Sequence, residues 1–139
     1  NIMKPILLFL FLFCFQAIGQ TTNNKSTKSV KNFIAAVENH NTAKLTRQLD
    51  KEYCKNQKTF INNDSQFINE LFSGEDLLTG KFTSPIFYEI TKIEIAEIEE
   101  INANELIYTF RIRGVGFDIL TTLLLKKIDK KYKFIGSEG

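Results

Sequence analysis

Acid–base chemistry beside a carbonyl needs a general base and an oxyanion donor, and this 139-residue sequence offers few groups for either. On a strand pattern whose Leu106, Tyr108, Phe110 and Ile112 point inward, the one polar group is the Tyr108 hydroxyl, with Tyr88 as its expected neighbour. No carboxylate shares that parity. Asp118 opens the following strand next to a glycine turn, which makes it a rim residue. His40, the sole histidine, falls in the Glu38-Asn39-His40-Asn41 turn at a helix C-terminus, where positive charge is favourable. It is expected to be solvent-exposed, since its neighbours are amides and a general base wants a cavity.

One histidine and two cysteines give a zinc site too few soft ligands. Glu97, Glu99, Glu100 and Glu105 lack the spaced Asp/Asn/Gly loop of a calcium site and are expected to form a solvated hairpin face. Gly114-Val115-Gly116 has no third glycine and no following helix, so it is a turn and not a dinucleotide loop. Arg111 and Arg113 share one strand face and have the fork geometry to grip a phosphate or carboxylate, although outward strand residues are usually just solvated. Lys126, Lys127, Lys130, Lys131 and Lys133 gather at the last hairpin, where edge lysines commonly block aggregation. No catalytic residue, metal site or cofactor is assigned.

The elements that must position these groups divide the chain in two. Val30, Phe33, Ile34 and Val37 form one helical stripe, capped near Thr27 or Ser29 and ending around Asn39 to Asn41. Thr42 can cap a second helix with Leu45, Leu49 and Tyr53 along one edge. Asp64 or Ser65 can cap a third, carrying Phe67, Ile68, Leu71 and Phe72 and stopped by Gly74. From Phe82 the period becomes alternating. Ile86 to Ile98 reads as one long bulged strand, Asn102-Ala103-Asn104 as a hairpin turn, and Leu106 to Arg113 as a half-buried strand. Ile119 to Leu125 is apolar or Thr throughout, the pattern of a strand covered on both faces. Tyr132 to Ile135 is the last strand.

Residues 3–19, MKPILLFLFLFCFQAIG, have the order of a secretory signal: Lys4, an apolar run too short to span a bilayer, then Ala17-Ile18-Gly19 before Gln20. Met3 is the expected start, residues 1–19 the cleaved signal, 20–28 a polar leader and 29–139 one domain. A lipid anchor through Cys14 is the less favoured alternative, because Leu12 and Phe13 precede it where small residues are usual. Without Lys4 the 18 basic residues become 17 against 16 acidic ones, which argues against nucleic-acid binding. No second long apolar run follows, so no membrane association is expected after cleavage. Cys54 is then the lone cysteine, a small buried hydrophobe or a reactive thiol.

The helical half FIAAVENHNTAKLTRQLDKEY, followed by a meander ending in LLLKKIDKKYKFIG, resembles the nuclear transport factor 2-like families within the cystatin-like folds. The resemblance implies an α+β protein, an exported bacterial member, with N-terminal helices packed on a strongly curved antiparallel sheet that forms a cone. The cone's mouth often holds a small ligand, and Tyr108, Tyr88, Phe110 and Asp118 are its candidate contacts here. No catalytic residue of the family maps onto this sequence. Fold of this kind leaves function open. The expected role is an exported module that binds a small ligand or a protein. The competing readings are an isomerase- or dehydratase-like enzyme using Tyr108 with Tyr88 or Asp118, and a homodimeric interaction domain. An open cone with convergent polar groups favours the ligand or the enzyme, and a filled one favours interaction. If Ile119, Thr121, Leu123 and Leu125 face the helices, Leu120 and Leu124 stand on the outer face near Ile107, an apolar patch suited to a twofold dimer.

Overall fold

The computed structural model describes residues 26–60 and 64–136. The expected signal at 1–19, Cys14 and the leader up to residue 25 lie outside the described residues.

Helix α1 covers 26–38 and buries Val30, Phe33, Ala36 and Val37, so the expected stripe is present. It is already under way at residue 26, ahead of the expected caps at Thr27 and Ser29. His40 ends it in the left-handed region at φ 53. Its N–H donates to Val37 O (3.1 Å) and that of Asn41 to Ala36 O (2.9 Å), the paired bonds of a Schellman cap.

Asn41, and not Thr42, then caps α2 (Thr42–Arg47), its side chain accepting from Lys44 N at 3.0 Å. Leu45, Leu49 and Tyr53 do not share one helix. The backbone of residues 48–50 leaves the helical path to pair with Phe134: Asp50 N donates to Phe134 O (2.9 Å) and Phe134 N to Gln48 O (2.8 Å). Asp50 caps the next helix, α3 (Lys51–Phe60), accepting from Tyr53 N at 3.0 Å. Helix α4 (Asp64–Leu71) buries Phe67, Ile68 and Leu71.

Among the described residues six antiparallel strands follow: β1 (Gly74–Asp76), β2 (Phe82–Thr83), β3 (Ile90–Asn102), β4 (Glu105–Gly114), β5 (Phe117–Ile128) and β6 (Lys131–Ile135). Their order is β2-β1-β5-β4-β3, with β6 on the far half of β5. Gly74 does more than stop a helix, because a Cβ there would overlap the Leu120 carbonyl; only glycine lets β1 approach β5. The long strand begins at Ile90 and not Ile86, since Phe87–Glu89 form a 3₁₀ turn. Its register shifts at Ile90/Lys92, Ile95/Glu97 and Glu100/Asn102 account for the mixed parity of its isoleucines.

Strand β4 alternates as expected, with Leu106, Tyr108, Phe110 and Ile112 buried. Strand β5 corrects the sequence reading. Ile119, Thr121, Leu123 and Leu125 are buried, but Leu120 and Leu124 are half-buried and Thr122 is exposed, so only one face is covered. The fold is thus α+β, four helices among the described residues packed on a large antiparallel sheet that does not close into a barrel. Phe33 is the hub of the core, its ring 4.3 Å from Phe134, 5.3 Å from Phe110 and 6.0 Å from Phe72. The buried Thr121 hydroxyl is satisfied by donating to Phe72 O at 2.6 Å.

Candidate functional site

Strand alternation sends the residues singled out in the sequence to different places. Tyr108 and Phe110 lie on the inner face, stacked with centroids 5.8 Å apart and packed edge-on against Phe134. Phe110 is fully buried among them. No hydrogen bond to another described residue engages the Tyr108 hydroxyl, and burial raises its pKa, with Tyr132 adding to the effect. This interior is a filled aromatic core.

Tyr88 is elsewhere. It sits in the 3₁₀ turn two residues before Ile90, which pairs with Gly114, six residues along β4 from Tyr108; at ~3.3 Å per residue that is about 20 Å away. Asp118 belongs to the opposite face of the sheet, where it accepts a fork of two bonds from Arg111, Nε at 2.8 Å and a terminal nitrogen at 2.6 Å. The hydrogen bond from Arg111 holds the Asp118 carboxyl below its ordinary range, and the same bond raises the guanidinium. The four expected ligand contacts therefore do not converge.

Arg113 in turn donates to Glu94, with Lys92 3.9 Å from the same carboxylate. Both arginines with the fork geometry to grip an anion are thus engaged with carboxylates. His40 is not simply solvated. It is half-buried, its Nε2 donating to Ile90 O at 2.7 Å, with its ring edge-on to Phe87 and Tyr88. Cys54 is buried, and desolvation raises its thiol pKa, which disfavours the thiolate. Among the described residues no three His, Cys, Asp or Glu side chains gather to hold a metal, and no helix is long and apolar enough to cross a membrane.

The outer face carries a band of partly covered apolar side chains, while Ile95 and Ile98 of β3, opposite Phe110 and Tyr108, are exposed as well. Register places Ile107 beside Leu124 and Leu124 beside Ile135, while Leu120 pairs with Glu75 and Glu75 with Phe82. Ile107, Leu120, Leu124 and Ile135 are half-buried and Phe82 is 77% exposed. One margin of this apolar band is acidic: Glu94, Glu97 and Glu99 of β3 stand opposite Arg111, Thr109 and Ile107. The other is basic, with Lys126 of β5 opposite Lys133 of β6 and Lys131 beyond. Lys133 is tied to Arg47 O, and burial lowers its pKa, with Lys131 and Lys51 pushing the same way. Sequence reasoning found Ile107, Leu120 and Leu124 but missed Phe82 and Ile135, and read the two charged margins as unrelated surface. The signal was available in the hairpin register, which sets the glutamates and lysines on one parity with the leucines.

Compared with known proteins, the sequence matches no family model and no curated relative.

Proposed function

We propose that the chain is an exported interaction module of the nuclear transport factor 2-like type, without catalytic residues, that works through the outer face of its sheet. Its sheet is the cone of that fold, wrapped on α1 and occupied by protein side chains. The observation that carries this reading is the division of labour between the two faces. The inner face is centred on Phe33, Phe110 and Phe134, all fully buried, while the outer face leaves Ile107, Leu120 and Leu124 partly exposed between charges of opposite sign.

A second copy of the chain is the first partner, because the face complements itself in one arrangement. A twofold axis running along the strands lays the acidic β3 margin of each sheet over the basic β5–β6 margin of the other; an axis across the strands would set glutamates against glutamates. Such a homodimer needs about 800 Å² from each partner to be stable.

Light scattering across micromolar to high micromolar concentrations tests this. A dimer that Leu124→Glu splits, and that weakens as salt screens the margins, is the expected result. A monomer throughout, or a dimer indifferent to Leu120→Lys and Leu124→Glu, overturns it. Mass spectrometry of the secreted product should begin at Gln20; a lipid on Cys14 or an uncut cytoplasmic chain overturns the export reading.

A further inference from the structure

The sheet ends on one side at β3, a strand of 13 residues whose one neighbour among the described residues is β4. The strand at the opposite end of the order, β2, has 2 residues. The His40 ring occupies the carbonyl of Ile90 at the start of β3. Beyond it the edge carries a row of outward N–H and C=O groups with no hydrogen-bonded partner among the described residues. Such a row is a template for another strand.

The side chains along this edge decide which strand it accepts. Register with β4 puts Glu97 and Glu99 on the outer face and Ile95, Ile98 and Glu100 on the inner one. Both isoleucines are exposed, so the helices do not reach over this part of β3, and Ile101 is exposed as well. Glu94 is bound to Arg113, with Lys92 at 3.9 Å, whereas Glu97, Glu99 and Glu100 face no cation among the described residues. A second copy of the same edge, laid antiparallel, would set glutamates near glutamates and be repelled. An edge sealed against all pairing carries charge on both faces. Exposed isoleucines among unneutralised glutamates instead leave this one open to a strand of opposite charge. The register shifts at Ile95/Glu97 and Glu100/Asn102 bracket a regular ladder from Glu97 to Glu100, which at ~3.3 Å per residue is about 13 Å long, enough for a short extended segment.

We propose that the β3 edge binds an extended cationic segment by strand addition, one in which lysine or arginine alternates with apolar residues. Its backbone pairs with the ladder from Glu97 to Glu100, its cations on one face meet Glu97 and Glu99, and its apolar side chains on the other extend the row of Ile95 and Ile98. Glu97 and Glu99 also border the outer face, but the backbone edge, Ile98 and Glu100 do not. Packing two sheets face to face leaves their edges free, so this site stands independently of the homodimer reading.

The test is a titration of the full chain with an acetylated, amidated heptapeptide that alternates lysine and valine, followed by amide chemical shifts. The expected result is a dissociation constant of about 1 mM or tighter at low salt, weakening as salt rises, with shifts centred on 95–102 of β3. The same peptide methylated on its backbone nitrogens keeps every charge and side chain but cannot donate to the strand. It should bind more than about tenfold more weakly, as the loss of several backbone hydrogen bonds requires, and a heptapeptide alternating glutamate and valine should not bind. Glu100→Lys, at an exposed position on the inner parity, should weaken the lysine peptide by about fivefold, as suits a solvent-screened pair. Light scattering on that variant reads the homodimer separately, because Glu100 is not on the outer face. Shifts absent or centred away from β3, undiminished binding of the methylated peptide, or indifference to Glu100→Lys overturns the assignment. Outward-pointing β3 amides that already resist hydrogen exchange without peptide overturn it too, because the edge is then filled by the chain itself or by a second copy.

Discussion

Truncating Phe110 to alanine measures whether the inner face is packed solid. The ring is fully buried and touches three others, those of Phe33 at 5.3 Å, Tyr108 at 5.8 Å and Phe134 at 5.8 Å. Removing a buried phenylalanine from water-free surroundings forfeits about 1.5–3 kcal/mol of transfer free energy. In a packed core the void left behind and the lost ring contacts raise the total to about 3–5 kcal/mol. That is a large part of the roughly 5–15 kcal/mol that holds a domain together, and near 4 °C per kcal/mol it lowers the melting temperature by about 15 °C. Urea unfolding at low temperature gives the loss directly, with Phe110→Leu as a companion expected to cost under about 1.5 kcal/mol because it nearly conserves volume. If the sheet instead enclosed an open chamber, there would be no new void to create. A loss below about 2 kcal/mol for Phe110→Ala, at unchanged denaturant slope, would refute the filled interior.

Two further outcomes follow from the titrating groups. The folded pKa of Asp118 is depressed by Arg111, so its contribution is present above the unfolded value of about 3.9 and is lost as pH falls through the lower folded value; Asp118→Asn should flatten the decline in urea midpoint below about pH 4. Tyr108 is raised by burial, so its contribution is present below about pH 10 and is lost as pH climbs through the higher folded value. Tyr108→Phe should therefore blunt alkaline unfolding, followed by tyrosinate absorbance, while changing neutral-pH stability by less than about 1 kcal/mol because no hydrogen bond to another described residue is broken.

The parts legible in the sequence are those fixed by local periodicity. Strand β4 is half-buried with a clean period of two, and α1 carries its apolar stripe at the spacing of one helical face. The misreadings arise where a distant partner decides. Leu45, Leu49 and Tyr53 keep a spacing of four, yet Phe134 pairs with the backbone at 48–50 and divides the helix. Asp50 could have announced the second start, since it stands three residues before Tyr53, whose N–H it accepts. Strand β5 carries leucines on both parities, and composition alone cannot say that one face stays open. Tyr88 and Tyr108 were grouped because a continuous strand was expected, and the 3₁₀ turn at Phe87–Glu89 resets the phase between them. The cleft that Thr42, Thr46, Ser65 and Asn69 help to line left a trace as well, because these are polar pairs four apart on α2 and on α4, but that the two helices border one cleft is a tertiary fact.

Phe134 draws the two ends of the described chain together, its ring on Phe33 and its backbone bonded in both directions to residues 48–50. The contact spans about a hundred residues of sequence, a separation that delays closure of the core. A ribosome adding 5–20 residues per second needs about 5–20 s to deliver Phe134 after Phe33. Throughout that interval the stripe of α1 lacks the ring that completes its burial.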